Sequence, residues 1–248
     1  MKKWLLIILL GMASNNYAQK QITNVQQIWT AYNNQTRFSN KWGMWLDLHL
    51  RTKDNYTQDL STGIARLGLT YYLNDNTKLT AGYAYVNHFP ADIHADISRP
   101  EHRPWQQIQW HTKYNKLRVM QWARLEERFR RKIKDNDELA EGYNFNYRVR
   151  YNFLAAVPLS KNAFAPNTLS LVFNNETHIN FGKQVIYNSF DQNRFFVGLS
   201  YQVNPNDNIQ LGYLNVFLQL PAGNQYRNID AVRLFYFHNL DLRRRSNS

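Results

Sequence analysis

Runs of about ten residues that alternate apolar or aromatic with polar or charged side chains recur along almost the whole chain. Each run is closed by a short turn of Asn, Asp or Lys. Ala81, Tyr83 and Tyr85 alternate with Thr80, Gly82 and Ala84. Phe195, Val197, Leu199, Tyr201 and Val203 alternate with Arg194, Phe196, Gly198 and Ser200. A period of two sends successive side chains to opposite faces of a sheet. One face here is greasy and aromatic, and the other carries arginines. The pattern predicts an all-β fold.

The first residues read MKKWLLIILLGMASNNYAQ. Two lysines precede an apolar stretch from Trp4 to Leu10, and Ala18 offers a small residue before Gln19, as in an export signal. That stretch is too short to span a bilayer as a helix, and no later segment approaches about 18 apolar residues. An exported chain of this kind spans a membrane only as a closed barrel, because hydrocarbon leaves unpaired backbone groups without solvent. The expected organisation is a signal peptide over 1–18, an outer-membrane barrel over 19–242 and a basic tail over 243–248.

Composition supports this reading. The chain holds 16 Tyr and 14 Phe, yet its mean hydropathy is negative. Rings with a polar tip suit the boundary between lipid and water. There is no cysteine, which removes disulfides, thiolate metal sites and a lipidated cysteine anchor. The formal net charge is +12, with Lys2 and Lys3 in the leading segment. A nucleic-acid partner is not expected, because the chain is exported and its arginines fall at alternate strand positions rather than in one basic helix or tail.

About eleven strand segments can be counted, whereas bacterial barrels use an even number. Residues 19–27 as an extra strand would give twelve, the preferred count. Val25 to Phe38 as an arm would leave ten. The expected architecture is a single antiparallel up-and-down barrel. Loops alternate short and long, with a long loop expected over 87–104 and a charged one over 132–141, matching tight periplasmic turns and longer outer loops. Arg124 to Lys134 imitates a solvent helix, but Arg124, Glu126 and Arg128 keep the period of two and predict a strand running past the membrane.

The stretches RFSNKWGMWLDLHLR, LGLTYYLNDNTKLTAGYAYV, RPWQQIQWHTKY, RLEERF, FDQNRFFVGLSYQVN and LGYLN resemble, in order, a family of uncharacterised outer-membrane β-barrel proteins, a domain-of-unknown-function group common in the Bacteroidetes. The resemblance covers nearly all of the mature chain. It implies a barrel in the outer membrane and implies no reaction, cofactor or catalytic residue.

Alternation places Arg66, Arg124, Glu126, Arg128, Arg148, Arg150, Glu176, His178 and Arg194 on the non-lipid face as a lumen charge belt. One reading is a structural network in which Glu126 and Glu176 neutralise arginines and fill a narrow barrel. The other is a constriction that favours small anionic solutes. His88, Asp92, His94, Asp96, Glu101 and His102 crowd one loop without a compact metal-ligand spacing, so a solvated loop is expected and no metal or cofactor. A lipid hydrolase would need a serine beside a histidine. Ser170 lies eight residues from His178, and Ser200 would have to meet a histidine across the barrel. The expectation is therefore no enzyme.

Trp29, Trp42, Trp45, Trp105, Trp110 and Trp122 are expected as interface anchors. Gly63, Gly68, Gly82, Gly198 and Gly212 are expected at bends or points of tight inner packing. The preferred function is a narrow pore or transport accessory in contact with outer-membrane lipid. A plugged structural or partner-binding barrel is the alternative. No protein partner is indicated by the sequence.

Overall fold

The computed structural model describes residues 20–90, 96–162 and 164–243. The proposed signal peptide and most of the basic tail therefore lie outside the described residues, as do Asp92 and His94. Within them the chain is all strand and connection. The strands are β1 (Gln21–Arg37), β2 (Trp42–Thr52), β3 (Leu60–Tyr72), β4 (Thr77–His88), β5 (Arg99–Tyr114), β6 (Leu117–Ile133), β7 (Leu139–Pro158), β8 (Thr168–Phe181), β9 (Phe190–Gln202), β10 (Asp207–Gln219) and β11 (Gln225–Asp241). Each pairs with its sequence neighbour in antiparallel fashion, and β1 pairs with β11 to close a barrel.

The count among the described residues is eleven, between the ten and twelve considered from the sequence. Residues from Gln21 onward are not a separate strand but the first part of β1. An odd number of alternating strands makes the first and last run the same way. The closing pair is accordingly parallel, in register from Gln21↔Gln225 to Arg37↔Asp241. The expected all-antiparallel pattern holds everywhere except at this seam.

Two further boundaries shift. The long loop expected over 87–104 narrows to 89–98, because β5 begins at Arg99 and brings Glu101 into the wall. The charged loop expected over 132–141 narrows to 134–138, so the segment that imitates a helix is strand. The connections 38–41, 73–76, 115–116 and 203–206 are tight and share one rim with the longer 159–167. Connections 53–59, 89–98, 134–138, 182–189 and 220–224 share the other. At the tight-turn rim Arg37 Nη1 donates to Asp75 Oδ1 at 2.7 Å. That bond holds the Asp75 carboxyl below its ordinary range.

The greasy face looks outward. Leu67, Leu69 and Leu211 are more than half exposed, with Leu48, Leu79 and Val149 also open. Exposure of this kind over a whole wall is far beyond the isolated patches of a soluble surface. Aromatic rings sit toward both rims of the aliphatic band. Phe129, Phe145, Tyr147 and Phe181 form a chain of ring contacts near the long-loop rim. Trp42 packs edge-on against Tyr71 at the tight-turn rim.

Two opposed glycine pairs shape the lumen. Gly68 faces Gly82 and Gly198 faces Gly212. A Cβ on Gly198 would stand 2.4 Å from the Leu211 carbonyl oxygen and 2.6 Å from the Phe196 ring. A Cβ on Gly68 would stand 2.9 Å from the Trp105 ring. Each pair gives up side-chain volume so that an inward ring can lie flat across the wall.

The seam is directly testable, because the chain has no native cysteine. Ile28 and Val232 are direct partners in the parallel register. Ile28→Cys combined with Val232→Cys should form a disulfide on mild oxidation and shift mobility on a non-reducing gel. Ile28→Cys with Leu240→Cys should not. Cross-linking in the second pair alone would refute the seam.

Candidate functional site: an arginine-rich lumen

All nine belt residues turn inward. Arg66 comes from β3, Arg124, Glu126 and Arg128 from β6, Arg148 and Arg150 from β7, Glu176 and His178 from β8, and Arg194 from β9. Their side chains are buried or nearly so. Period-two parity explains this directly, since each occupies the face opposite the greasy one.

Eight of the nine belt residues join one continuous ion-pair network over β5 to β9, and Arg66 pairs separately with Asp47 on β2. Arg148 grips Glu126 through Nε at 2.9 Å, and Arg150 reaches it through Nη1 at 2.6 Å. Arg150 Nε also donates to Glu176 at 2.6 Å. His178 Nε2 lies 2.8 Å from Glu176, and Arg194 Nη1 lies 3.5 Å from it. Several of these bonds come from two nitrogens of one guanidinium, the geometry in which arginine binds carboxylate most strongly.

The network has members that alternation did not single out. Arg128 Nε and Arg103 Nε each donate to Glu101 at 2.6 Å, with His88 Nε2 at 2.9 Å from the same carboxylate. Arg148 Nη1 donates to Asp191 at 2.8 Å. Asp47 accepts from Arg66 at 2.7 Å and from Trp45 Nε1 at 2.7 Å. Asp47 carries the correct parity and was legible in principle, whereas Arg103 fell inside the loop expected over 87–104. Glu101 was hidden in an expected loop. Asp191 has the wrong parity, but the β8–β9 register shifts between His178 and Ile179, and the resulting bulge turns it inward.

The loop cluster splits accordingly. His88 and Glu101 meet inside the lumen. His102 instead faces outward, with Tyr85 and Tyr143 rings edge-on at 5.7 Å each. No group of three or more potential metal ligands occurs among the described residues. Ser200 hydrogen-bonds Asn208 at 2.9 Å and stands opposite Ser170. His178 lies eight residues from Ser170 along β8, roughly 27 Å for an extended strand. His178 is flanked by carboxylates rather than by a hydroxyl.

Four tryptophans correct the interface-anchor expectation. Trp29, Trp45, Trp105 and Trp122 are buried in the lumen, and Trp42 is open on the outer wall. Their odd or even positions match those of the inward charges on the same strands, so parity overrides the general preference of Trp for interfaces. They serve as faces for guanidinium groups. Arg124 lies 4.3 Å from the Trp105 ring centre and 4.9 Å from Trp122, and Arg51 lies 3.6 Å from Trp29.

The remaining arc of the lumen is apolar. Trp29, Val172, Phe196, Leu214, Val216, Ile229 and Ala231 form a buried cluster from β8 to β11 and β1. Val86, Glu101, Val172, His178, Phe196 and Val216 have no exposed surface at all. No water-sized space touches them, so the interior at these positions is packed solid. Toward the tight turns the packing opens into a cavity of about 410 Å³. Its wall includes Arg66, Arg124, Arg150, Arg194 and Arg233, and reaches Phe164 in the 159–167 connection and Asn208 at the start of β10.

Glu126→Gln leaves Arg148 and Arg150 buried without their shared carboxylate. Loss of one partner from a buried ion pair costs about 3–5 kcal/mol. The variant should unfold at markedly lower denaturant concentration than the parent, measured by tryptophan fluorescence in detergent. A change within about 0.5 kcal/mol, the range of ordinary surface substitutions, would show that the network does not support the fold.

A family described as "Protein of unknown function (DUF2490)" matches residues 26–227. An uncharacterized protein of Methylorubrum extorquens (strain ATCC 14718 / DSM 1338 / JCM 2805 / NCIMB 9133 / AM1) is 27% identical over 187 residues, covering 73% of this chain and 75% of that protein. No solved structure matches the chain. By the extent of the family match, the chain belongs to the DUF2490 family of proteins of unknown function.

Proposed function

We propose that this chain is a non-enzymatic outer-membrane barrel with a plugged lumen, holding a cavity that faces the tight-turn side. The observation that carries the reading is the pairing of an all-round apolar outer wall with a packed, charged interior. Lipid covers such a wall at no cost, whereas water would not. The export-like N-terminus and the aromatic rings toward both rims support the same placement. By the rule that tight turns face the periplasm, the cavity opens toward that compartment.

Plugging is favoured over free conduction by the residues of zero exposure on β4, β5, β8, β9 and β10. An open anion pathway would need the ion pairs around Glu101 and Glu126 to part. Outer-membrane lipid is the surrounding partner.

Two measurements test this. Cell fractionation should place the processed protein in the outer membrane, with a band whose gel mobility changes on boiling. Recovery as a monodisperse protein in detergent-free buffer would overturn the membrane assignment. Purified protein in planar bilayers should show no steady current above leak, and sustained conductance would restore the pore reading.

A further inference from the structure

The cavity on the tight-turn side carries far more positive than negative charge. Its wall holds six guanidinium groups, those of Arg66, Arg118, Arg124, Arg150, Arg194 and Arg233, against the carboxylates of Asp47 and Glu176. Asp47 is committed to Arg66, and Glu176 to Arg150. Of the other four, Arg118 and Arg233 form no ion pair among the described residues, and Arg124 and Arg194 have only long contacts, to Glu126 and to the already shared Glu176. Arg233 donates Nη2 to the Gln210 amide at 2.8 Å, and its Nε has no partner among the described residues. Arg124 gives two bonds to the Gln107 amide, stands 3.9 Å from Glu126 at nearest, and leaves Nη1 without a partner. Arg194 reaches Glu176 at only 3.5 Å. Arg118 lies 3.9 Å from the ring centre of Phe164, whose backbone is held at a φ of 59°.

Burying a charge without a counter-charge is expensive, and buried donors left without acceptors add to the cost. Arg124 and Arg233 are both more than nine-tenths buried. Guanidinium groups gathered in the wall of one void match an oxyanion. The void is within the size range of small-molecule sites. Its aromatic surfaces, Trp29, Trp122 and Phe235, would meet a carbon body rather than bare water. Phe164 is an aromatic residue in left-handed backbone, an uncommon conformation that recurs where a ligand site is shaped.

We propose that this cavity binds a small, soluble, multiply charged oxyanion, a polycarboxylate or a phosphate compound, with Arg233, Arg194 and Arg124 as its principal donors. The proposal rests on the plugged-barrel reading for the direction from which ligand arrives. Its test uses purified protein and is independent of fractionation and conductance. At the mouth, Arg118 on Phe164 stands where an arriving anion would first meet charge.

The experiment is calorimetric titration of the full chain in a phosphate-free non-ionic detergent, with pyrophosphate and citrate as probes and glucose as the neutral control. Both anions should bind once per chain and raise the melting temperature, and glucose should do neither. Arg233→Met keeps an apolar stem but removes an unneutralised charge. It should melt no lower than the parent without ligand, yet bind anion at least about tenfold more weakly. Arg194→Met should weaken binding likewise. Absence of binding tighter than about 1 mM by the parent overturns the proposal, as does undiminished binding in both variants. Adding phosphatidylglycerol to the micelles should not displace citrate. Displacement would reassign the site to a lipid headgroup.

Discussion

Closure of the sheet governs everything else in this molecule. Once β1 meets β11, every strand has an inside and an outside and a paired neighbour on each side. The seam is parallel and long, in register from Gln21 to Arg37. Parallel pairing is slightly weaker per residue, and here length compensates. An odd strand count is thereby accommodated without an open edge. The parity of each strand then decides which side chains face outward and which meet one another.

What meets inside is two unlike halves. Strands β5 to β9 contribute guanidinium and carboxylate groups that knit across the lumen. Strands β9 to β11 and β1 contribute Phe196, Leu214, Val216, Ile229 and Trp29. Bringing charge and hydrocarbon into one small interior works because arginine has a flat, weakly hydrated face. Arg233 lies 4.0 Å from the Phe196 ring centre and 4.2 Å from Phe235, and Arg194 lies 5.1 Å from Trp29. The glycine pairs make the same compromise in the backbone, since Phe196 and Trp105 fill the space that Gly198 and Gly68 leave.

Much of this was legible in the sequence, because period two is a local signal. The inward placement of Arg66, Glu126, Arg148, Arg150 and Glu176 follows from counting along each strand. Three kinds of feature were not legible that way. A bulge reverses parity, so Asp191 could not be placed by counting. A strand that begins inside an apparent loop hides its first residues, so Glu101 was read as part of a solvated cluster. Composition rules for tryptophan describe an average interface, whereas Trp45 and Trp105 obey the parity of their own strands. The pairing of first strand with last depends on the parity of the strand count, which no single segment records.

The uneven distribution of carboxylates inside the barrel has a local origin. Among the described residues five acids are buried in the lumen, Asp47, Glu101, Glu126, Glu176 and Asp191, and none of them comes from β10 or β11. Asp207 and Asp230 on those strands stand one residue out of step, and Asp241 at the end of β11 pairs with Arg243 at the rim. Asp230 lies between the inward Ile229 and Ala231 and takes the outer face, where it accepts from the Tyr213 hydroxyl and from Asn215. Asp207 likewise accepts from the Tyr236 hydroxyl at 2.6 Å on the outer side. A shift of one residue in a period-two element moves a side chain to the other face. Asp207 and Asp230 are thus spent on tyrosines of the outer wall, and Arg233 is left with an amide and two rings. A packed plug on one side and an unneutralised cationic pocket on the other follow from that single offset.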